Sequence, residues 1–143
     1  LTKGFDLVDW YELDPEVVRV CQKHLTKICG EVKANNNVKC YWGDAFESIK
    51  KVKDSKYDKI FVDLNDDQFC IDLAAKNMKG LKRILKPGGV ITAQVGCLSK
   101  KPKQIKNWMG VLENNFGNVE LFEIFIPSFD CRWNFASSLF KSN

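Results

Sequence analysis

Acidic side chains follow three successive predicted strands of this 143-residue chain. Glu12 and Asp14 come after the first strand, Asp44 after the second, and Asp63 and Asp66 after the third. In open α/β sheets, ligands bind outside the carboxyl ends of the strands, and a carboxylate there commonly accepts hydrogen bonds from a ribose diol. Asp44 is placed to accept from an adenine amino group. Because neither role needs a group that binds phosphate, the pattern favours a nucleoside over a dinucleotide.

Each acid also has a purely structural interpretation, because Asp and Glu in strand-to-helix loops often cap the following helix. Asp44, for example, directly precedes a helix predicted to begin at Ala45. Acids at three successive strand ends favour ligand binding, and capping stays open as the alternative for each of them.

The elements that must position these acids alternate short apolar runs with amphipathic stretches, which is typical of βαβ units and a parallel sheet. The predicted strands are 7–11, 38–42, 57–62, 90–94, 119–126 and 132–140, and the predicted helices are 15–28, 45–52, 71–85 and 105–115. The last two strands are close enough in sequence to pair antiparallel. With no linker, repeat or low-complexity segment, residues 1–143 are predicted to form a single domain.

The glycines give no phosphate-binding loop. Gly88-Gly89 precedes a strand, whereas a nucleotide loop must follow a strand and open a helix, so residues 86–89 are predicted to form a turn. No G-x-G-x-x-G is present, and the chain starts almost on a strand. Either the chain binds no such cofactor or its glycine loop lies upstream of Leu1, and the start on a strand predicts a fold that is truncated at its amino terminus.

Composition favours a cytoplasmic protein that binds neither membranes nor nucleic acid. The chain is 45% hydrophobic with a formal charge of +4, has no apolar run of spanning length and shows no leader pattern. The lysines at 100, 101 and 103 are predicted to lie in a solvated loop.

The six cysteines form no C-x-x-C pair, so we expect reduced, mostly buried thiols and no metal site. Core packing rather than ligand stacking is expected of Trp42, Trp108, Trp133 and Phe135.

Five ordered segments resemble the spermidine and spermine synthases, the polyamine aminopropyltransferases. They are YELDPEVV at 11–18, WGDAFE at 42–47, YDKIFVDLND at 57–66, LKPGGV at 85–90 and IPSF at 126–129 with Trp133 and Phe135. The first and fourth also fit many adenosylmethionine-dependent methyltransferases. The double aspartate and the terminal segment are the specific part, although Asp67 stands where the family has proline.

The resemblance implies a Rossmann-like, methyltransferase-type α/β fold with a mostly parallel sheet and a carboxyl-terminal antiparallel hairpin. It implies that Glu12 holds the ribose of decarboxylated S-adenosylmethionine, the co-substrate, and that Asp44, with Ala45 beside it, binds the adenine. It implies that Asp63 binds the aminopropyl amine or the polyamine, that Asp66 is the general base, and that no prosthetic group is needed. A full-length member is expected to be a homodimer.

The charges of Asp63 and Asp66 suit this chemistry. An acceptor amine is protonated near neutrality, and a carboxylate within hydrogen-bond reach can take its proton before the nitrogen attacks. Two carboxylates also attract a polycation.

Three alternatives stay open. The acceptor can be putrescine or spermidine, the chain can be a methyltransferase of the same fold, and it can be a non-catalytic module.

Overall fold

The computed structural model describes residues 4–27, 36–65 and 67–141. The chain divides into two compact units, Leu1–Lys51 and Val52–Asn143. The single domain expected over residues 1–143 stays a prediction. Within the described ranges, no helix is long and apolar enough to cross a membrane.

The first unit contains a pair of parallel strands with a helix after each. Strand β1 (Val8–Glu12) pairs with β2 (Val38–Trp42), close to the predicted strands 7–11 and 38–42, and helices α1 (Pro15–His24) and α2 (Ala45–Ile49) follow them. The apolar side chains buried in this unit include Val18, Phe46 and Ile49. Helix α1 ends earlier than the predicted 15–28, and residue 28 lies outside the described residues.

The second unit contains a four-stranded sheet in the order β3-β4-β6-β5. Its strands are β3 (Tyr57–Val62), β4 (Leu85–Cys97), β5 (Val119–Ile126) and β6 (Cys131–Leu139). β3 and β4 run parallel, whereas β6 runs antiparallel to both β4 and β5. The predicted α/β class with a carboxyl-terminal antiparallel hairpin is confirmed, and a short 3-10 helix, Pro127–Phe129, joins the two strands of the hairpin.

Two helices pack against this sheet. The buried residues of each helix recur at helical spacing, so one side of each helix faces the core. They are α3 (Gln68–Ile84) and α4 (Pro102–Phe116). The side chains that fill the core include Ile71, Ala74, Met78, Leu81 and Ile84 of α3, Ile105, Trp108, Leu112 and Phe116 of α4, and Ile91, Ala93 and Val95 of β4. Core packing is therefore confirmed for Trp108, which is 1% exposed, but it is wrong for Trp42, which is 51% exposed.

Strand β4 is longer than predicted and departs twice from regular pairing. Residues 86–89, predicted as a turn, belong to the strand and lie between the pairs Tyr57–Leu85 and Lys59–Val90. A second irregularity leaves Val95 without a partner on β6, between residues 94 and 96. The first is an irregularity in which residues 86–89 lie opposite one residue of β3, and the second is a one-residue bulge, which bends a strand and redirects its side chains.

The expectation of reduced cysteines is wrong for one pair. Cys97 at the end of β4 and Cys131 at the start of β6 form a disulfide, with their Cα atoms 6.4 Å apart. Cys21, Cys40 and Cys70 are free thiols, and Cys40 is exposed rather than buried. The pair escaped prediction because the two residues are 34 positions apart and meet only once β4 and β6 are paired.

Candidate functional site

Glu12 lies at the carboxyl end of β1, where the sequence placed it. Its backbone oxygen accepts from the N–H of Gly43 (2.9 Å), which holds the loops after β1 and β2 side by side. Its side-chain Oε1 accepts from the N–H of Asp14 (3.0 Å). Asp14 in turn caps α1 by accepting from the N–H of Glu16 (2.8 Å). Glu12 is thus oriented by its own loop, and the cap alternative holds for Asp14.

Asp44 lies at the end of β2 and caps α2. Its Oδ1 accepts from the N–H groups of Phe46 (2.7 Å) and Glu47 (3.3 Å). The capping alternative considered from the sequence is therefore correct for one oxygen of this side chain. Oδ2 takes no part in those two bonds, and neither does the N–H of Ala45, the first residue of α2. A cap of this kind fixes a carboxylate at a helix amino terminus, where negative charge is stabilised.

The two strand ends of the first unit are adjacent because β1 and β2 pair in register, with Glu12 opposite Trp42. This places one carboxylate from each strand at the same edge. One carboxylate can accept from a diol, while the exposed carboxylate of Asp44 can accept from an amino group. The arrangement suits a nucleoside better than a phosphate, because it presents acceptors rather than N–H donors or cations.

In the second unit, Asp63 directly follows β3 and is exposed. Asp66 lies outside the described residues, so its proposed role as base stays a prediction. Asp67, which replaces the proline of the family pattern, caps α3 by accepting from the N–H of Cys70 (2.8 Å). This cap explains why α3 begins at Gln68, three residues before the predicted start.

Cys70 lies in the first turn of α3, where its N–H donates to Asp67. Burial raises the pKa of its thiol, and the carboxylate of Asp67 raises it further. A thiol with a raised pKa carries less thiolate and is a weaker nucleophile at neutral pH. The structure therefore gives no support to covalent catalysis by this cysteine.

One polar residue that organises this edge of the sheet was not among the predicted site residues. Gln94 of β4 donates from Nε2 to the backbone oxygen of Leu64 (2.9 Å), the residue after Asp63. Its Oε1 accepts from the indole N–H of Trp133 on β6. Gln94 thus connects three strand ends, and the available signal was a polar residue at the carboxyl end of a predicted apolar strand.

Metal binding has no support in the part of the chain that the structure describes, since no group of three or more His, Cys, Asp or Glu residues could hold an ion there. The candidate residues divide between the two units. Glu12, Asp44 and Ala45 belong to the first, and Asp63 belongs to the second.

Comparison with known proteins gives a consistent result. The model of the spermine/spermidine synthase domain matches residues 3–142. A polyamine aminopropyltransferase of Prochlorococcus marinus (strain MIT 9215) is 31% identical over 140 residues, which are 92% of this chain and 48% of that protein. Polyamine aminopropyltransferase 1 of Hyperthermus butylicus is 27% identical over 124 residues, which are 82% of this chain and 42% of that protein.

Solved structures agree on the fold. A spermidine synthase in complex with the transition state analogue AdoDATO superposes with a TM-score of 0.84 at 15% identity, covering 99% of this chain and 49% of that one. The spermidine synthase of Thermotoga maritima gives a TM-score of 0.75 at 14% identity, with 96% and 46% covered. The predicted Rossmann-like fold is thereby confirmed. The chain spans about half the length of the curated relatives it matches.

Proposed function

The chain belongs to the spermine/spermidine synthase family, and from that premise we propose that it carries part or all of a polyamine aminopropyltransferase. The observation that carries the proposal is the position of Glu12 and Asp44 at the carboxyl ends of two adjacent parallel strands. Two fixed carboxylates at that edge suit the adenosyl part of decarboxylated S-adenosylmethionine. Glu12 would accept from the ribose hydroxyls and Asp44 from the adenine amino group, with the N–H of Ala45 beside it.

The proposed reaction moves an aminopropyl group to a polyamine nitrogen. The nitrogen loses a proton, its lone pair forms a bond to the carbon next to the sulfonium, and the carbon–sulfur bond breaks. Methylthioadenosine then leaves as a neutral thioether. Because the positive charge on sulfur already activates the carbon, the protein must mainly remove a proton and hold both substrates in line.

Within this proposal, Asp63 binds the amine end of a substrate and Asp66 takes the proton. The exposure of Asp63 at the end of β3 supports its role, because a polycation can reach it. Asp67 is not given a role in this proposal; one of its oxygens accepts from the N–H of Cys70 and caps α3.

The test is product formation followed by mass spectrometry. The protein is incubated with decarboxylated S-adenosylmethionine and either putrescine or spermidine. We expect methylthioadenosine together with the longer polyamine, and the acceptor that is consumed identifies the substrate. Asp66→Asn should lower turnover by at least about 100-fold, the usual contribution of general acid–base catalysis. A variant that keeps most of its turnover would show that another group is the base.

Two arms separate the alternatives. Methyl transfer from S-adenosylmethionine, without aminopropyl transfer, would identify a methyltransferase of the same fold. If neither product forms, calorimetric titration with decarboxylated S-adenosylmethionine decides between an incomplete enzyme that still binds its co-substrate and a non-catalytic module that does not.

Assembly and location complete the proposal. We expect a homodimer for the full-length protein, which sedimentation would detect, and a cytoplasmic location.

A further inference from the structure

We propose that the Cys97–Cys131 disulfide is a reversible, redox-sensitive cross-link. It holds the turn between β5 and β6 against the part of the sheet that carries Gln94 and Trp133. The proposal concerns the second unit alone and does not depend on the reaction proposed above.

The pairing of β4 and β6 explains how the two sulfurs meet. Gln94 lies opposite Phe135 and Cys97 lies opposite Trp133. An advance of three positions along β4 therefore matches an advance of two positions along β6. The unpaired Val95 therefore brings Cys97 to the face that Gln94 occupies. Cys131 precedes Trp133 by two residues and lies on this face as well. Without the bulge, strand alternation would direct the side chain of Cys97 to the opposite face.

The disulfide closes the turn that leads into β6. This turn contains Pro127–Phe129 and Asp130, whose backbone is left-handed with φ 45° and ψ 46°. A left-handed backbone is uncommon for a residue other than glycine, although aspartate adopts it more readily than most. Cys131 follows it directly and is tied to β4 by the bond to Cys97.

Side-chain contacts continue from this turn to the end of β3. The rings of Phe129 and Trp133 lie 4.5 Å apart between centroids. Trp133 donates to Gln94, and Gln94 donates to the backbone oxygen of Leu64. Leu64 directly follows Asp63. Loosening of the turn would therefore reach the strand end that carries a candidate substrate ligand.

Three observations favour a reversible bond over a permanent scaffold. Secreted scaffolds use several disulfides, whereas here one pair coexists with three free thiols among the described cysteines. Cys97 and Cys131 are 3% and 7% exposed, but the adjoining Leu98 and Phe129 are 45% and 48% exposed, so a local opening would admit a reductant. The hydroxyl of Ser99 lies 3.2 Å from the sulfur of Cys97 and 3.9 Å from that of Cys131, where it can donate to a departing thiolate.

The chemistry is thiol–disulfide exchange with a dithiol. One thiolate of the dithiol attacks one sulfur of the pair, which releases the other cysteine as a thiolate and forms a mixed disulfide. The second thiolate of the dithiol then displaces the cysteine that is held in the mixed disulfide. Two electrons and two protons pass to Cys97 and Cys131, and the dithiol becomes a cyclic disulfide. An oxidised thiol such as glutathione disulfide reverses the step.

The experiment compares oxidised and reduced protein by hydrogen exchange and mass spectrometry. The protein is oxidised with glutathione disulfide, and peptide mapping without reductant is expected to show the 97–131 link. Dithiothreitol under native conditions should then raise exchange at least about threefold across residues 127–135 and leave α4 unchanged. The unfolding temperature should fall by roughly 10 °C, because the bond closes a long loop.

Matched variants complete the test. Cys97→Ala/Cys131→Ala should show the fast exchange of the reduced protein with and without dithiothreitol, whereas Cys40→Ser should behave like the native chain. The proposal is overturned if both cysteines stay alkylatable after oxidation, if dithiothreitol cleaves the bond only in denaturant, or if exchange across 127–135 does not change. The measurements on the native chain decide these points even if the double variant does not fold.

Discussion

The strand ends that carry the candidate ligand residues are held in different ways in the two units. In the first unit, Asp44 bonds to the backbone of residues two and three positions away, and the side chain of Glu12 bonds two positions away. In the second, Gln94 bonds to Leu64 and to Trp133, which are 30 and 39 positions away. The acidic side chains of one edge are oriented by local bonds, and Gln94 at the other is oriented by tertiary contacts.

The orientation of the side chains at the two edges therefore depends on different parts of the structure. A carboxylate that caps a helix keeps its orientation as long as the turn around it forms, and it can use its second oxygen for a ligand. A side chain that connects three strands keeps its orientation only when the whole sheet is correctly paired. Changes deep in the second unit should therefore disturb its edge, whereas the first unit should respond mainly to changes at the acids themselves.

The largest effect is expected for Gly89→Ala, which tests the dependence on close packing in the second unit. A Cβ at this position would lie 2.7 Å from Cδ1 of Leu85, 2.8 Å from the backbone oxygen of Lys86 and 2.9 Å from that of Asp58. Backbone cannot yield as a flexible side chain can, so we expect a loss of about 2–3 kcal/mol in the free energy of unfolding. Urea denaturation measures it.

Gly110→Ala is the matched control, because a Cβ there meets no atom within 4 Å. Gly110 lies inside α4, where alanine should stabilise the protein by about 0.5–1 kcal/mol. If both variants lose stability equally, the crowding around Gly89 is not the cause.

Asp44→Ser tests whether the first unit separates capping from ligand binding. Serine preserves the cap, so the free energy of unfolding should change by no more than about 0.5 kcal/mol. It removes the carboxylate, so the affinity for decarboxylated S-adenosylmethionine should fall about tenfold or more. Calorimetry measures the affinity, and Asp14→Ser, at the neighbouring cap, should leave it unchanged. If Asp44→Ser and the native chain bind with equal affinity, Asp44 caps α2 and does not bind the co-substrate.

Trp133→Phe tests the tertiary connection of the second unit. The ring is retained but its N–H is lost, which removes the hydrogen bond from Trp133 to Oε1 of Gln94. We expect a loss of about 1 kcal/mol in the free energy of unfolding, the usual net contribution of one hydrogen bond. Gln94→Leu in the same background should then cost less than it does alone, and strict additivity in this double-mutant cycle would contradict a direct interaction.

The smallest effect is expected for Lys86→Met, which removes a surface contact of β4. The ammonium of Lys86 lies 2.8 and 2.9 Å from the two oxygens of Asp58, and it holds the pKa of that carboxyl below its ordinary value. The contact favours the folded state above the ordinary pKa of an aspartate and is lost as the pH falls through the lowered pKa. In the variant, the pKa of Asp58 should rise towards the ordinary value, and an NMR titration of its carboxyl carbon checks this. An unchanged pKa would assign the shift to another cause.

The local edge was largely predictable from the sequence. The acids after β1 and β2 were assigned to the ends of parallel strands, and the cap by Asp44 was considered beforehand, because both depend on residues within a few positions of each other. The same holds for the bounds of β2, β3 and β5, which match their apolar runs. The early end of α1 was missed, since its periodic residues continue past His24.

The tertiary edge was less predictable for a physical reason. The role of Gln94 depends on the register of β4 against β3 and β6, and the disulfide depends on a one-residue bulge at Val95. A shift by one residue moves every later side chain of a strand to its other face. Such a shift cannot be predicted from the composition or from the spacing of residues along the chain. The sequence therefore gives no reason to expect a bond between Cys97 and Cys131.

The outer side of β5 has a practical consequence for handling the protein. β5 lies at the end of the strand order, and within the described residues it pairs with β6 alone. Phe122, Ile124 and Phe125 are each more than half exposed on it. An unpaired, apolar edge is a template for a strand from another molecule, and charged residues such as Glu120 and Glu123 are the usual obstacle to that pairing. For anyone concentrating or crystallising this protein, self-association should be sought first at this strand rather than inferred from the charge of +4.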